Sequence, residues 1–217
     1  MTFEIQKKQH VVFGAGLIGC YLGGVLISIG APCLLVCRPY VQKRLAEGLT
    51  LTDYLDHQIE LYDIQTTSVN QNLSNPEKAK YLWLTMKCVD VQSSLDAMRP
   101  FIDDSTIIFY CQNGFGVEEM IKATFPNQLV LRVIVPFNVV EIDYGHYHRG
   151  SEGALTFENN KTCQNEIQTL AEFMDSPLLS VKVCADMQVL AWAKLQLNLS
   201  NAVCALADVP VKTMLEQ

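Results

Sequence analysis

A glycine-rich turn between a short apolar run and a helix-like segment constrains this chain more than any other feature. His10 to Phe13 are apolar or β-prone and predict a short buried strand. Gly14 to Gly19, GAGLIG, then fits the pattern G-x-G-x-x-G, and Leu17 to Ile29 predicts a helix. A strand, a glycine turn and a helix in this order favour a dinucleotide site with the pyrophosphate at the helix N-terminus. The alternative is a glycine-rich turn that binds no ligand.

Each glycine of this stretch has an expected physical role. Gly14 permits the tight turn, Gly16 lets the backbone approach a pyrophosphate, and Gly19 lets the helix pack closely on the strand. Gly23 and Gly24 fall inside the helix, where each costs about 1 kcal/mol relative to Ala, so we expect close packing of this helix on the sheet. The candidate cofactor-binding residues of the turn are Gly14, Ala15, Gly16, Leu17, Ile18 and Gly19.

The residue after the second strand indicates which dinucleotide is bound. Pro32 to Cys37 predicts that strand, and Arg38 follows it. NAD sites usually carry Asp or Glu about 20 residues after the first glycine, but no carboxylate lies between Gly14 and Glu47. An arginine offers planar donors for a 2′-phosphate, which favours NADPH over NADH. The alternative is a solvated arginine at a strand end.

Composition describes a globular protein and excludes some partners. The chain has 217 residues, of which 49% are hydrophobic and 18% charged, with a formal net charge of −7. That charge argues against general binding to nucleic acid or to an anionic membrane. The eight cysteines contain no C-x-x-C pair, and the N-terminus lacks the apolar core of a signal peptide. We therefore expect reduced thiols, no metal site and a cytoplasmic location.

Predicted strands and helices alternate up to Val135, which indicates an α/β fold with a mostly parallel, doubly wound, Rossmann-type sheet. Within it, Leu49–Asp53 and Gln58–Tyr62 predict a hairpin at the sheet's side. After Pro136, residues 137–142 and 147–157 predict antiparallel strands at the edge of the same domain. We place a domain boundary near Asp186, which gives an NADP-binding Rossmann domain at 1–185. For residues 186–217, the family resemblance described below implies the start of an all-helical domain for substrate binding or dimerisation.

The most apolar predicted helix runs from Met187 to Ala207. A helix that is apolar on nearly all sides is expected to be buried. Its polar exceptions Lys194, Asn198 and Asn201 follow the spacing i, i+4 and i+7, so they share one face. We expect this face to line a cleft. The alternative is a lysine that extends to solvent beside two asparagines.

Taken together, these motifs resemble the ketopantoate reductase family over the whole chain. The resemblance rests on GAGLIG, Arg38, Thr85-Met86-Lys87, QNGFG at 112–116, VPFNVV at 135–140, HRG at 148–150 and WAKL at 192–195 with Asn198. It implies a Rossmann domain followed by an all-helical domain, with the active site between them. It also implies NADPH-dependent reduction of 2-dehydropantoate to (R)-pantoate, a step of pantothenate biosynthesis on the coenzyme A pathway.

The resemblance also assigns roles to particular residues. Lys194 matches the family's catalytic lysine, which donates a proton as hydride reaches the carbonyl carbon. Asn198 matches a substrate-binding asparagine, and Asn201 is adjacent to the position of another. Lys87 and Asn113 match residues near both the nicotinamide and the substrate. Without the resemblance, Lys87 would be interpreted as a surface lysine, and Asn113 as part of a common Asn-Gly turn.

The family's helical domain normally continues well beyond the position of Gln217, which leads us to expect a C-terminally truncated copy or a short member with impaired activity. We expect a small 2-oxo acid as substrate, and self-association through the incomplete helical domain. Two other interpretations remain open: a reductase for another 2-oxo acid, and a non-catalytic NADP-binding fragment. Glycerol-3-phosphate dehydrogenases share the fold pattern but fit the Trp-Ala-Lys stretch less well.

Overall fold

Parallel strands and helices alternate along most of the chain, as the sequence predicts. The structure, a computed structural model, describes residues 5–69 and 76–208, with only the backbone described at 200–205. The helices are α1 (Leu17–Ser28), α2 (Pro39–Leu45), α3 (Cys88–Met98), α4 (Val117–Thr124), α5 (Gln164–Met174) and α6 (Met187–Ala207). The strands are β1 (His10–Phe13), β2 (Cys33–Val36), β3 (Leu49–Asp53), β4 (Gln58–Leu61), β5 (Thr66–Thr67), β6 (Tyr81–Leu84), β7 (Ile107–Tyr110), β8 (Leu129–Ile134), β9 (Val139–Asp143), β10 (His146–Arg149), β11 (Leu155–Glu158) and β12 (Val181–Cys184).

The main sheet has eight strands in the order β12-β11-β8-β7-β6-β1-β2-β5. The six neighbouring strands β8, β7, β6, β1, β2 and β5 are all parallel. Strand β11 is antiparallel to β8 and parallel to β12. Helices α1 and α5 pack on one face, and α3 and α4 on the other. This arrangement confirms the predicted doubly wound α/β fold. The strand order reverses between β1 and β6, so a ligand crevice is expected at their carboxyl ends.

A second sheet corrects the predicted position of the hairpin. Strands β3 and β4 form the predicted hairpin, but they join β9 and β10 in a separate four-stranded sheet of order β4-β3-β10-β9. The predicted strand at 147–157 is in fact two strands, of which β10 joins the small sheet and β11 the main sheet. Local patterns indicate that a segment is a strand, but the choice of partner depends on distant residues.

Helix α1 lies between the two sheets. It contacts β1 and β2 of the main sheet and all four strands of the small sheet, and its residues from Gly19 to Leu26 are buried. A Cβ at Gly23 would collide with the Leu35 side chain of the main sheet. A Cβ at Gly24 would lie 2.8 Å from side-chain carbons of both Leu49 and Leu51 on β3. The two glycines therefore let one helix approach a sheet on each side.

Helix α6 is only partly covered, so the prediction that it is buried holds for Met187 and Ala191 and is wrong for several other described side chains. Its buried apolar contacts are at its start, where Met187 and Ala191 pack with Ile134 at the end of β8. Trp192 is 53% exposed and Leu197 70% exposed. The helix is present as predicted, but among the described residues only the side that faces the end of β8 is covered. None of the helices in the described ranges combines the length and apolar character needed to cross a bilayer.

We expect Gly24→Ala to lower the free energy of unfolding by about 1–3 kcal/mol, the usual cost of overpacking. The added methyl group must displace Leu49 and Leu51, and this cost should exceed the gain in helix propensity. Urea unfolding of the purified variant measures the change. Ser28→Ala, at an exposed position of the same helix, is the control and should stay within about 0.5 kcal/mol of the parent chain. Equal stability of the Gly24 variant would contradict close packing against the small sheet.

Candidate functional site

The ends of β1 and β6 approach each other closely at the crevice. A Cβ at Gly14 would lie 2.5 Å from Met86 Cβ and 2.8 Å from Met86 N, so a side chain does not fit there. Gly14 also has a φ of +83°, which favours glycine. The Thr85 hydroxyl donates to the carbonyls of Phe13 and Gly14, at 3.3 and 3.1 Å. These contacts hold the start of the glycine turn, residues 14–19, against the end of β6.

The first backbone N–H groups of the glycine turn are hydrogen-bonded, whereas the space beside the turn is open where helix α1 begins. The N–H groups of Gly14 and Ala15 both donate to the Val36 carbonyl at 3.0 Å. The first bond of α1 runs from Cys20 N–H to Gly16 O, and no side chain caps this helix end. A Cβ at Gly16 would meet only Gly14 O, at 3.9 Å, so Gly16 faces open space. An uncapped helix start with an open glycine suits an anionic ligand.

Arg38 stands at the end of β2, where the sequence predicts recognition of a 2′-phosphate. Its guanidinium Nη2 lies 3.4 Å from Asp90 Oδ2 in the first turn of α3, and the two side chains are 68% and 40% exposed. An exposed ion pair of this kind contributes little to stability. Arg38 is therefore available to a stronger anionic partner. The sequence has no carboxylate directly after β2, but helix α3 places the carboxylate of Asp90 near Arg38.

Lys87 is the N-cap residue of α3, directly after the end of β6, and its side chain is exposed. It lies at the same edge of the sheet as Gly14, because β1 and β6 are parallel neighbours. It is not among the residues that surround Lys194. The structure therefore places Lys87 near the glycine turn and brings other predicted residues to Lys194.

A narrow cleft at the carboxyl ends of β7 and β8 contains three of the predicted site residues. We call it the lysine cleft; its lining residues are Gln112, Asn113, Gly114, Arg132, Val133, Ile134, Ala191, Lys194, Leu195 and Asn198. Asn113 comes from the turn after β7, whereas Lys194 and Asn198 come from one face of α6. The predicted shared face of α6 is thus directed toward a cleft. The side chain of Asn201, the third residue of that face, lies outside the described residues.

Lys194 is held in this cleft by the end of the main sheet. Its Nζ donates to the Val135 carbonyl at 2.7 Å. Burial lowers the pKa of Lys194 to about 8, while nearby Cys111 raises it and Arg132 lowers it further. Burial in turn raises the pKa of the Cys111 thiol to about 12, so this thiol is neutral near pH 7. Lys194 is therefore mostly charged near neutral pH but releases a proton readily.

The sequence interpretation missed two polar side chains that organise this region. Gln112 is buried, and its amide donates to the carbonyls of Leu84 and Met86 at 3.0 and 2.9 Å, which joins the turn after β7 to the end of β6. Arg132 is 8% exposed and donates to Gly114 O at 2.7 Å. Arg132 is the one charged residue in the apolar strand β8, LVLRVI, which was the available signal in the sequence.

A protein-family comparison matches this chain. The family model described as "Ketopantoate reductase PanE/ApbA" matches residues 10–162. Among curated relatives, the 2-dehydropantoate 2-reductase of Archaeoglobus fulgidus is 24% identical over 208 residues, which cover 95% of this chain and 66% of that protein. The corresponding protein of a Nostoc species is 20% identical over 98% of this chain and 70% of its own length. The chain thus spans about two thirds of the length of these relatives.

Solved structures share the fold. A PanE/ApbA family ketopantoate reductase from Ralstonia eutropha has a TM-score of 0.73 and 26% identity, covering 88% of this chain and 61% of that one. A 2-dehydropantoate 2-reductase from Geobacter metallireducens has a TM-score of 0.82 and 20% identity, over 96% and 69%. A D-mandelate dehydrogenase with NADH and anilino(oxo)acetate has a TM-score of 0.80 and 16% identity, over 92% and 64%.

The lowered pKa of Lys194 predicts a pH-dependent stability. Between about pH 8 and 10 the native lysine has released its proton, while the unfolded lysine still binds one. Lys194 should therefore make stability rise with pH in this window, by at most about 1.4 kcal/mol per pH unit. Lys194→Met should remove this contribution, so the parent chain should gain more stability from pH 8 to 10 than the variant.

Urea unfolding of the parent chain and the variant at pH 7, 8, 9 and 10 measures this difference. Lys182→Met, at an exposed position of β12, is the control and should follow the parent chain at every pH. If the parent chain and the Lys194 variant changed in parallel, a perturbed Lys194 would be excluded.

Proposed function

The chain belongs to the ketopantoate reductase PanE/ApbA family, and we propose that it reduces 2-dehydropantoate to (R)-pantoate with NADPH, as in pantothenate biosynthesis. The observation that carries this proposal is the lysine cleft. There a partly buried ammonium group shares a cleft with Asn113 and Asn198, at the sheet edge that also holds the glycine turn. A proton donor among hydrogen-bond donors suits a carbonyl that becomes an alkoxide.

The residues present fit the dinucleotide that the family implies. The uncapped N-terminus of α1 and the open space at Gly16 would accept the pyrophosphate, with Ala15, Leu17 and Ile18 as neighbours. Arg38 would hold the 2′-phosphate by exchanging its weak contact with Asp90 for a doubly charged partner. NADPH, when bound, would supply the hydride. Lys87 and Asn113 would stand near the nicotinamide and the substrate.

Lys194 would act as the general acid of the reduction. Its ammonium has three N–H donors, of which the Val135 carbonyl takes one at 2.7 Å. The others can donate to the substrate oxygen, stabilise the negative charge that develops there and transfer a proton to it. A pKa of about 8 keeps most of the lysine protonated near neutral pH, yet makes proton release easier than from a solvated lysine.

The amides of Asn113 and Asn198 would orient the substrate around this lysine. Asn198 lies one helical turn after Lys194, so both side chains can reach one small molecule. Asn113 approaches from the turn after β7. We assign Asn201 to the same substrate face from its helical spacing alone.

A second candidate function is reduction of another 2-oxo acid. It is favoured by the likeness in fold to a D-mandelate dehydrogenase, whose structure was solved with NADH and anilino(oxo)acetate. The Asp90 carboxylate beside Arg38 could also accept bonds from ribose hydroxyls, as NADH requires. A panel of branched and aromatic 2-oxo acids, each tested with both cofactors, separates the two functions.

We also propose that residues 1–185 form the cofactor domain and that α6 begins a substrate and dimerisation domain. Its described side chains Val189, Trp192, Leu197 and Leu199 are all more than half exposed, which is unusual for an unpartnered helix. A family member from Staphylococcus aureus is described as dimeric. A second copy of this chain is the partner that we propose for α6.

We expect Arg38→Ala to weaken NADPH binding by about 1.5–3 kcal/mol, the scale of a hydrogen bond to a charged group. NADH binding should change little, because NADH lacks the 2′-phosphate. Titration of each cofactor by fluorescence gives both dissociation constants. Arg99→Ala, which removes an exposed arginine next to Asp96, is the control and should change neither constant. Equal losses for the two cofactors would rule out recognition of the 2′-phosphate.

We expect Lys194→Ala to lower kcat for 2-dehydropantoate by about 10²-fold or more, the usual contribution of a positioned general acid. The dissociation constant of NADPH should remain within a factor of about two, because the lysine serves the substrate oxygen. Stopped-flow turnover and NADPH titration on the same preparation test this, with Lys182→Ala as the control. A variant with near-parental kcat would exclude Lys194 as the acid.

A further inference from the structure

Arg132 is a buried charge inside the lysine cleft for which the proposed reaction has no role. It stands on β8, paired in register with Tyr110 of β7, and its side chain is largely buried. Taking a guanidinium out of water is costly unless it gains polar partners. The contacts of Arg132 therefore indicate what the residue does.

The Arg132 guanidinium lies in a stack that runs from the main sheet to helix α6. Its Cζ is 5.0 Å from the ring centroid of Tyr110 and 4.9 Å from that of Phe115. Phe115 in turn lies 4.6 Å from the ring of Trp192 on α6. A planar cation stacks on aromatic faces in this way, whereas an ammonium group makes a more compact and more hydrated contact.

The same guanidinium bonds to the turn that carries Asn113. Its Nη1 donates to Gly114 O at 2.7 Å. Gly114 and Gly116 both have positive φ angles, of +84° and +92°, and a Cβ at either would meet nothing within 4 Å. The turn at 113–116 is therefore only lightly packed at its glycines. Arg132 supplies a hydrogen bond and an aromatic contact that fix it.

We propose that Arg132 is a positioning residue, which holds the 113–116 turn against helix α6 so that Asn113 and Lys194 act on the same substrate. Asn113 is attached to the main sheet through β7, and Lys194 belongs to α6. The stack of Tyr110, Arg132, Phe115 and Trp192 connects these two supports. Misplacement of reacting groups by about 1 Å can cost 10²-fold in rate, so such a connection matters. This inference rests on the proposed function.

Arg132 also adds a positive charge close to the Lys194 ammonium. The charged or titratable groups described around the pair are Cys111 beside Lys194; Tyr110, Glu118 and Glu158 beside Arg132; and Lys122 beside the two glutamates. The Arg132 charge lowers the pKa of Lys194, so removal of that charge should raise this pKa. The pH above which turnover falls, because Lys194 loses its proton, should then move upward. A purely structural role would not shift that pH.

The test compares Arg132→Met, which lacks the charge and the planar group, with Arg132→Lys, which keeps the charge alone. Both variants should lose about 10²-fold in kcat/KM for 2-dehydropantoate while the NADPH dissociation constant stays within a factor of about two. Only Arg132→Met should shift the alkaline limb of kcat upward. Arg99→Met, which removes another arginine stacked on an aromatic ring, Phe125 at 5.2 Å, is the matched control.

Fluorine NMR of 5-fluorotryptophan-labelled protein gives a readout that does not need turnover. The chain has two tryptophans: Trp83, which is fully buried, and Trp192, which ends the stack. The Trp192 resonance should shift or broaden in both Arg132 variants, and the Trp83 resonance should not move.

An unchanged Trp192 resonance would overturn the proposed connection. Equal losses in NADPH affinity and in kcat/KM would show a general folding role and would also overturn it. A parent chain that binds NADPH but reduces no 2-oxo acid would refute the proposed function, while the Trp192 resonance would still decide whether Arg132 holds the turn.

Discussion

The close approach of helix α1 to two sheets is the constraint on which the rest of the structure depends. Gly19, Gly23 and Gly24 have no side chain at the points where Thr85, Leu35, Leu49 and Leu51 come nearest. The helix can therefore lie in contact with the main sheet and the small sheet at once. This packing directs the uncapped helix N-terminus to the crevice between β1 and β6. The geometry of the candidate cofactor site therefore depends first on backbone contacts of the helix and only then on polar side chains.

Polar side chains then join the strand ends into one surface. Thr85 links β6 to β1, Gln112 links β7 to β6, and Arg132 links β8 to the turn after β7. Lys194 completes the series by bonding to the carbonyl that follows β8. Parallel strands bring their carboxyl ends to one edge, and these bonds fix the spacing between neighbouring ends. Gly14, the turn that carries Asn113, and Lys194 are thus each held by a hydrogen bond to a neighbouring strand end.

Sequence reasoning succeeded where a local pattern determines the structure. The run from His10 to Leu26 predicted a strand, a turn and a buried helix, because each glycine has a steric purpose within a few residues. The small sheet was not foreseen, because pairing of β3 with β10 joins segments far apart in sequence. The exposure of Trp192 and Leu197 differs from the burial that the apolar pattern alone indicates, because tertiary contacts decide how much of an apolar helix is covered. Asp90 and Arg132 were not predicted as site residues, because Asp90 contacts Arg38 and Arg132 contacts Gly114 only in the folded chain.

The distribution of charge accounts for how an acidic chain can attract anionic ligands. The net charge is −7, yet Arg38, Lys87, Arg132 and Lys194 all stand at or near the carboxyl ends of the parallel strands. They differ in burial, and burial sets their chemistry. Arg38 and Lys87 are exposed and so are accessible to an anion from solvent. Lys194 is partly buried near Arg132, and the loss of solvent lowers its pKa to about 8. The same edge therefore carries two exposed cations and one partly buried lysine with a lowered pKa, which matches the different roles proposed for them.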